Sequence, residues 1–144
     1  MDKGKLLGID YGQKTIGLAV SDQDRLMAFG RGSLKNVNKQ KIAEKIIQLV
    51  KIEQIQEIII GLPLGPNGEE TAQTVSIKNF ADFLQKYLIK EKIRVKIAFL
   101  DESFSSFEAD RILAGLGVKG LQRKKTEDEM AAIILIHRYI DFKP

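Results

Sequence analysis

An α/β fold, with a five-stranded mixed sheet and helices on both faces, is what three features of this chain predict. Two short apolar runs, residues 6–10 and 15–20, are joined by a tight turn at Gly12, which reads as a hairpin. The run Glu57-Ile58-Ile59-Ile60-Gly61 shows no alternation, the pattern of a strand covered on both sides. Stretches with apolar residues at helical spacing separate the later strands.

The first strand, residues 6–10, ends on Asp10. In the second, residues 15–20, Ile16, Leu18 and Val20 take one face, and the small Gly17 and Ala19 take the other. A third strand at 26–34 follows the turn Ser21-Asp22-Gln23-Asp24-Arg25 and completes an antiparallel meander. Asn36 or Asn38 caps a first helix, whose stripe is Ile42, Ile46, Leu49 and Val50. The fourth strand leads into Leu62-Pro63-Leu64-Gly65-Pro66-Asn67-Gly68. That loop lacks the Gly-Lys-Ser/Thr ending of a P-loop, which argues against nucleotide binding of that kind. A second helix spans 69–88, with Ala72, Val75, Phe80, Phe83, Leu84 and Tyr87 inward. The fifth strand, 95–100, delivers Asp101 and Glu102 at its end. Ser105 and Glu108 form a capping box that opens a third helix, ended by Gly115 or Gly117. Thr126 and Glu129 form another, opening a last helix with Met130, Ile133, Ile134 and His137 on one stripe. A meander followed by βαβαβ gives a mixed sheet, with residues 1–144 as one domain.

Composition narrows the chemistry. The chain has no Cys and one His, which excludes thiolate zinc sites, thiol nucleophiles and His-pair metal sites. Metal chemistry must use oxygen ligands, which suits Mg²⁺ or Mn²⁺. No stretch is apolar enough to span a membrane, and residues 1–5 carry no signal-peptide core, so a cytoplasmic protein with no membrane partner is expected. A net charge of +4 permits nucleic-acid binding without requiring it. Ser105 and Ser106 read as helix caps, since no base is paired with them.

Three acidic positions fall at element ends. Asp10 closes the first strand, flanked by Gly8 and Gly17, which keep its surroundings free of bulk. Asp101 and Glu102 close the fifth, and alternation lets at most one of them reach a shared centre. Asp128 lies in the first turn of the last helix, with the small Ala131 and Ala132 on its face, so that helix is expected to approach the sheet closely. Taken singly, Asp10 could form only a turn and Asp128 could serve only as a first-turn acid. Together, clustered carboxylates repel one another, and divalent ions resolve the conflict.

The stretch Gly8-Ile9-Asp10-Tyr11-Gly12-Gln13-Lys14-Thr15-Ile16-Gly17-Leu18-Ala19-Val20-Ser21-Asp22 resembles the opening motif of the YqgF/RuvX family. Ile60-Gly61-Leu62-Pro63-Leu64 with Asn67-Gly68, Leu100-Asp101-Glu102 with Ser105, Ser106 and Ala109, and Asp128-Glu129-Met130-Ala131-Ala132 with Ile134-Leu135 resemble its later motifs, in order and over nearly the whole chain. The resemblance implies a ribonuclease H-like fold. It also implies a metal-dependent endonuclease acting on structured nucleic acid, with 16S rRNA precursor as substrate. The family's metal-binding acids match Asp10, Glu102 and Asp128, which would hold Mg²⁺ or Mn²⁺. Two departures stand out. Ser103 replaces an Arg common after the Asp-Glu pair, and Gly61 stands where the wider superfamily often has a Glu.

Lys14, Arg123, Lys124 and Lys125 are the candidate phosphate contacts, the last three in a basic loop beside Asp128 that could equally be solvated charge. His137 reads as core or half-buried. Rival readings are a branched-DNA (Holliday junction) resolvase, which would work as a homodimer, and a non-catalytic nucleic-acid-binding factor on a nuclease fold. An actin- or hexokinase-like phosphotransferase ranks last, because such proteins need two such domains.

Overall fold

Side-chain alternation along the first strands sets the layering. The computed structural model describes residues 3–101 and 120–142. It contains β1 (Lys5–Tyr11), β2 (Thr15–Ser21), β3 (Ala28–Lys35), α1 (Lys39–Glu53), β4 (Ile55–Leu62), α2 (Ala72–Lys90), β5 (Lys96–Asp101) and α3 (Gly120–Phe142). The five strands form one sheet in the order β3-β2-β1-β4-β5. The β1–β2 and β2–β3 pairs are antiparallel, and β1–β4 and β4–β5 are parallel, so the sheet is mixed as expected. The helix expected from the Ser105–Glu108 capping box lies outside the described residues.

One face of the sheet carries Leu7, Ile9, Tyr11, Ile16, Leu18, Val20, Ile58 and Ile60, packed with α1 and α2. The other carries Leu6, Ala19 and Ile59, packed with Ala132, Leu135, Ile136 and Tyr139 of α3. β4 is buried on both faces, which is why it reads as an unbroken apolar run. Asn38 is the cap of α1, its side chain accepting the Lys41 N–H at 3.0 Å.

Several expectations need correction. α2 begins at Ala72, because Thr71 and Thr74 close a reciprocal capping box there. Val75 is 47% exposed and Ala72 is also exposed; Thr74, Ile77, Phe80, Ala81, Leu84 and Leu88 form the buried face instead. The loop before α2 wraps on itself: the Glu69 carboxylate packs against Gly65 and accepts the Asn67 N–H at 2.8 Å. α3 starts at Gly120, so Thr126 lies inside the helix and not at its start. Its buried face is Ala131, Ala132, Leu135, Ile136 and Tyr139, while His137 is exposed.

Polar ties hold the layers at the edge away from Asp10. Arg25 donates to the buried Glu57 carboxylate at 3.3 Å and to the Gly4 carbonyl at 2.8 Å. The Tyr139 hydroxyl donates to the same carboxylate at 2.6 Å. On the opposite layer, Glu53 at the end of α1 pairs with Arg31 of β3 and with Lys5 of β1.

The Arg31 hydrogen bond holds the Glu53 carboxyl below its usual range; burial opposes this and Lys5 assists it. A folded-state value below the unfolded one adds stability that is complete above the unfolded value and lost as pH falls through the folded value. Arg31→Ala is therefore expected to cost stability at neutral pH, by about 1 kcal/mol for a pair this near the surface. It should also flatten the loss of stability below pH 4.5. Urea melts across the acid range test this; parallel curves for the two proteins would show the pair to be energetically silent.

Candidate metal centre

Asp10 lies one residue before the end of β1 and is half-buried. Leu7, Ile9 and Tyr11 point into the α1–α2 core, whereas Leu6 packs with α3, so alternation puts Gly8 and Asp10 on the α3 face. A Cβ on Gly8 would lie 2.7 Å from Ile136 Cγ1 and 3.0 Å from the Ala132 carbonyl oxygen, which confirms that face.

Asp10 pairs with Gly17 across the β1–β2 ladder. A Cβ on Gly17 would lie under 3.0 Å from the main-chain carbonyl of Asp128. Only glycine admits the helix backbone there. Positions 136, 132 and 128, two successive turns of α3, thus step along the sheet toward the C-terminal end of β1. The main chain of Asp128 therefore rests on Gly17, the ladder partner of Asp10, and both acids are half-buried.

The approach expected from Ala131 and Ala132 is present, since Ala132 is fully buried and Ala131 nearly so. The sheet supplies the other half of the clearance through Gly8, Gly17 and Gly30. Asp128 is not in the first turn, however. α3 begins eight residues earlier, about 12 Å of helix, so the helix dipole does little for this acid.

Glu129 has a different role from the capping one expected. Its carboxylate packs on Gly30 and accepts the Gly32 N–H at 2.9 Å, tying α3 to the edge strand β3. The sequence carried a signal for this in the paired glycines of β3, which leave room for a side chain from another layer.

Asp101 ends β5 and is exposed. Ala98 and Leu100 pack with the α3 layer and Ile97 with the other, so alternation turns the Asp101 side chain away from Asp10, while the residue also borders a recess with Leu100 and with Arg138 and Asp141 of α3. Glu102 lies outside the described residues. Among the described residues, no three His, Cys, Asp or Glu side chains group closely enough to hold a metal ion.

Lys14 is exposed in the β1–β2 turn, four residues after Asp10. That turn is braced: the Gly12 N–H donates to the Thr15 carbonyl at 2.9 Å, and the Asn36 N–H donates to the Lys14 carbonyl at 2.9 Å. Arg123, Lys124 and Lys125 lie in α3 and not in a loop, three to five residues before Asp128.

The arrangement offers oxygen donors only, from half-buried carboxylates at one end of a sheet, with basic residues close by in sequence. Such donors fit a hard divalent cation such as Mg²⁺ or Mn²⁺.

Comparison with known proteins bears on the fold and the family. A protein of Clostridioides difficile, named as a candidate pre-16S rRNA nuclease, is 36% identical over 140 residues, covering 97% of this chain and 96% of its own. A protein of Dictyoglomus thermophilum with the same name is 30% identical over 137 residues, 95% of either chain. Among solved structures, Thermus thermophilus RuvC in complex with a Holliday junction substrate superposes with a TM-score of 0.57 at 16% identity, over 96% of this chain and 94% of that one. A second structure of that RuvC gives 0.54 at 17% identity, over 95% of each chain. These two share the ribonuclease H-like fold with this chain. The family model described as RuvX, Holliday junction resolvase, matches residues 4–142. With that match spanning both Asp10 and Asp128, the chain belongs to the RuvX family.

Proposed function

We propose that this protein is a metal-dependent endonuclease that cleaves structured RNA, with the 16S rRNA precursor as its substrate. One observation carries the proposal: Gly17 allows the backbone of Asp128 to rest on the strand position paired with Asp10. Like Gly8 and Gly30, this glycine lets α3 pack closely, but it alone sets the backbone of one candidate acid over the strand partner of another. That placement suits two carboxylates sharing a centre. The names carried by the relatives support the RNA substrate.

Asp10 and Asp128 would hold the metal from strand and helix, and Glu102 would complete the set, since alternation turns Asp101 away. A bound Mg²⁺ or Mn²⁺ would act as a Lewis acid on the attacked phosphate. Lys14 would orient a neighbouring phosphate from the rigid β1–β2 turn, and Arg123, Lys124 and Lys125 would add charge along α3. The half-buried setting of the two acids limits competing water and strengthens their pull on a cation.

The deciding experiment incubates the protein with rRNA precursor and with four-way DNA junctions side by side, in Mg²⁺, in Mn²⁺ and in EDTA. Metal-dependent cutting of the precursor is expected. Preferred cutting of the junction by a stable dimer would favour the resolvase reading, which the family's description supports. Binding that survives EDTA without cleavage in either metal would leave a non-catalytic factor.

Replacing Arg123, Lys124 and Lys125 together with Ala should weaken binding about equally across sequences. It should also reduce the slope of log affinity against log salt by roughly 0.7–0.9 for each phosphate that the variant no longer neutralises. Metal affinity should hardly change. A salt titration in Ca²⁺, which silences cleavage, reads the slope; an unchanged slope would mark the cluster as ordinary solvated charge.

A further inference from the structure

A recess of about 230 Å³ opens between the β1–β2 turn and the start of α2. Tyr11, Gly12, Gln13, Asn36, Gln73 and Ser76 line it. Its nearest wall, Gly12, is two residues past Asp10, about 7 Å of extended chain. It opens on the α2 face of the sheet, whereas Asp10 and Asp128 lie on the α3 face. A strand crossing the C-terminal edge of the sheet could therefore present a phosphate to one side and a base to the other.

The lining is uncharged throughout, which suits base edges better than phosphates. Two of its groups are committed to structure. The Asn36 side-chain amide donates to the Gly12 carbonyl at 2.8 Å, and its oxygen accepts the Tyr11 hydroxyl at 3.3 Å. The Tyr11 ring stacks on Phe80 with centroids 4.4 Å apart, so the floor is fixed. Gln13, Gln73 and Ser76 show no hydrogen-bond partner among the described residues. Two amides and a hydroxyl on a rigid floor offer paired donors and acceptors, the pattern that reads a base edge. A recess this small cannot admit a base pair, but it can admit one unpaired base.

We propose that this recess is a subsite for a single unpaired nucleobase next to the phosphate that is cut, with Gln13, Gln73 and Ser76 as its specificity-determining residues. The inference rests on the nucleic-acid reading above. It makes an unpaired nucleotide beside the cleavage point part of what the protein recognises, as single-stranded RNA is commonly read.

The test measures binding of short single-stranded RNA homopolymers, and of matched oligonucleotides with abasic positions, by fluorescence anisotropy in Ca²⁺. The wild type should prefer one base over the others by roughly tenfold or more, as one good amide–base pair provides. Gln73→Ala, and Ser76→Phe, which fills the recess, should bring that preference to within about twofold while leaving abasic binding unchanged. Both positions lie at the surface of α2, and thermal melts confirm that the variants fold. Equal binding of all bases by the wild type, or full preference kept in both variants, overturns the subsite. Cleavage without base preference overturns the subsite alone. Base preference lost in the variants, with no cleavage in Mg²⁺ or Mn²⁺, upholds the subsite and removes only the nuclease. Failure of the wild type to bind any oligonucleotide overturns both.

Discussion

Asp10→Asn is expected to lower the rate of RNA cleavage by more than about a hundredfold, the upper end of what altering groups behind metal ligands costs. Asparagine keeps the shape and one oxygen but removes the charge that draws a divalent cation. The fold should survive the change. On the proposed reading Asp10 and Asp128 share one centre, where two acids without metal would repel each other, so neutralising one should cost the apo protein nothing. The melting temperature in EDTA should hold or rise, whereas the extra stability that metal gives the wild type should shrink in the variant. Three measurements settle the matter: single-turnover cleavage, calorimetric titration with Mn²⁺, and melts with and without EDTA. A large destabilisation in EDTA would show Asp10 to be a structural turn residue, and wild-type cleavage would remove it from the centre.

Gly17→Ala tests the site from its support. The added methyl would meet the Asp128 carbonyl at under 3.0 Å, and that atom belongs to backbone, which cannot swing aside. Either β2 or α3 must shift. Overpacking of this kind costs about 1–3 kcal/mol, sometimes more. For a chain of this size the melting temperature should fall by roughly 4 °C for each kcal/mol. Activity should fall further than stability does, because relief of the clash moves Asp128 away from Asp10. Gly8→Ala is the comparison: its closest contact is Ile136 Cγ1 at 2.7 Å, a side-chain atom with some freedom. It should lose stability yet keep more activity in assays run well below its melting temperature. Equal activity loss in the two variants would show that Gly17 acts through packing alone.

Asp10 and its surroundings were legible because strand, turn and returning strand form one local unit. The alternation of Ile16, Leu18 and Val20 against Gly17 and Ala19 divided the two faces correctly. The face of α3 was not legible. Between Met130 and Ile140, apolar residues occur on every side of the helix, so periodicity offers several stripes. The choice falls to Gly8, Gly17 and Gly30, which lie a hundred or more residues away in sequence and admit only the side bearing Ala132 and Ile136. The start of α3 was missed for a related reason. Thr126 followed by Glu129 suits a capping box, but it also suits a helix interior when Glu129 has a distant partner, here the Gly32 N–H. The neutral recess beside Gly12 left no trace in the sequence, because glutamines from a turn and a helix form no periodic or charged pattern.

The Glu57 carboxylate lies under the far end of α3, where Tyr139 and Arg25 both donate to it. Tyr139 is eleven residues, about 16 Å of helix, from Asp128. α3 is therefore a strut seated at both ends: on glycine near Asp10, and on a buried carboxylate at the opposite edge of the sheet. A strut released at its foot pivots at its head. Tyr139→Phe removes one hydrogen bond and no bulk, yet it should widen the range of positions open to Asp128. The firmness of this centre is thus partly set by groups that neither metal nor substrate would touch, and searches for activity-lowering substitutions should extend to Arg25, Glu57 and Tyr139.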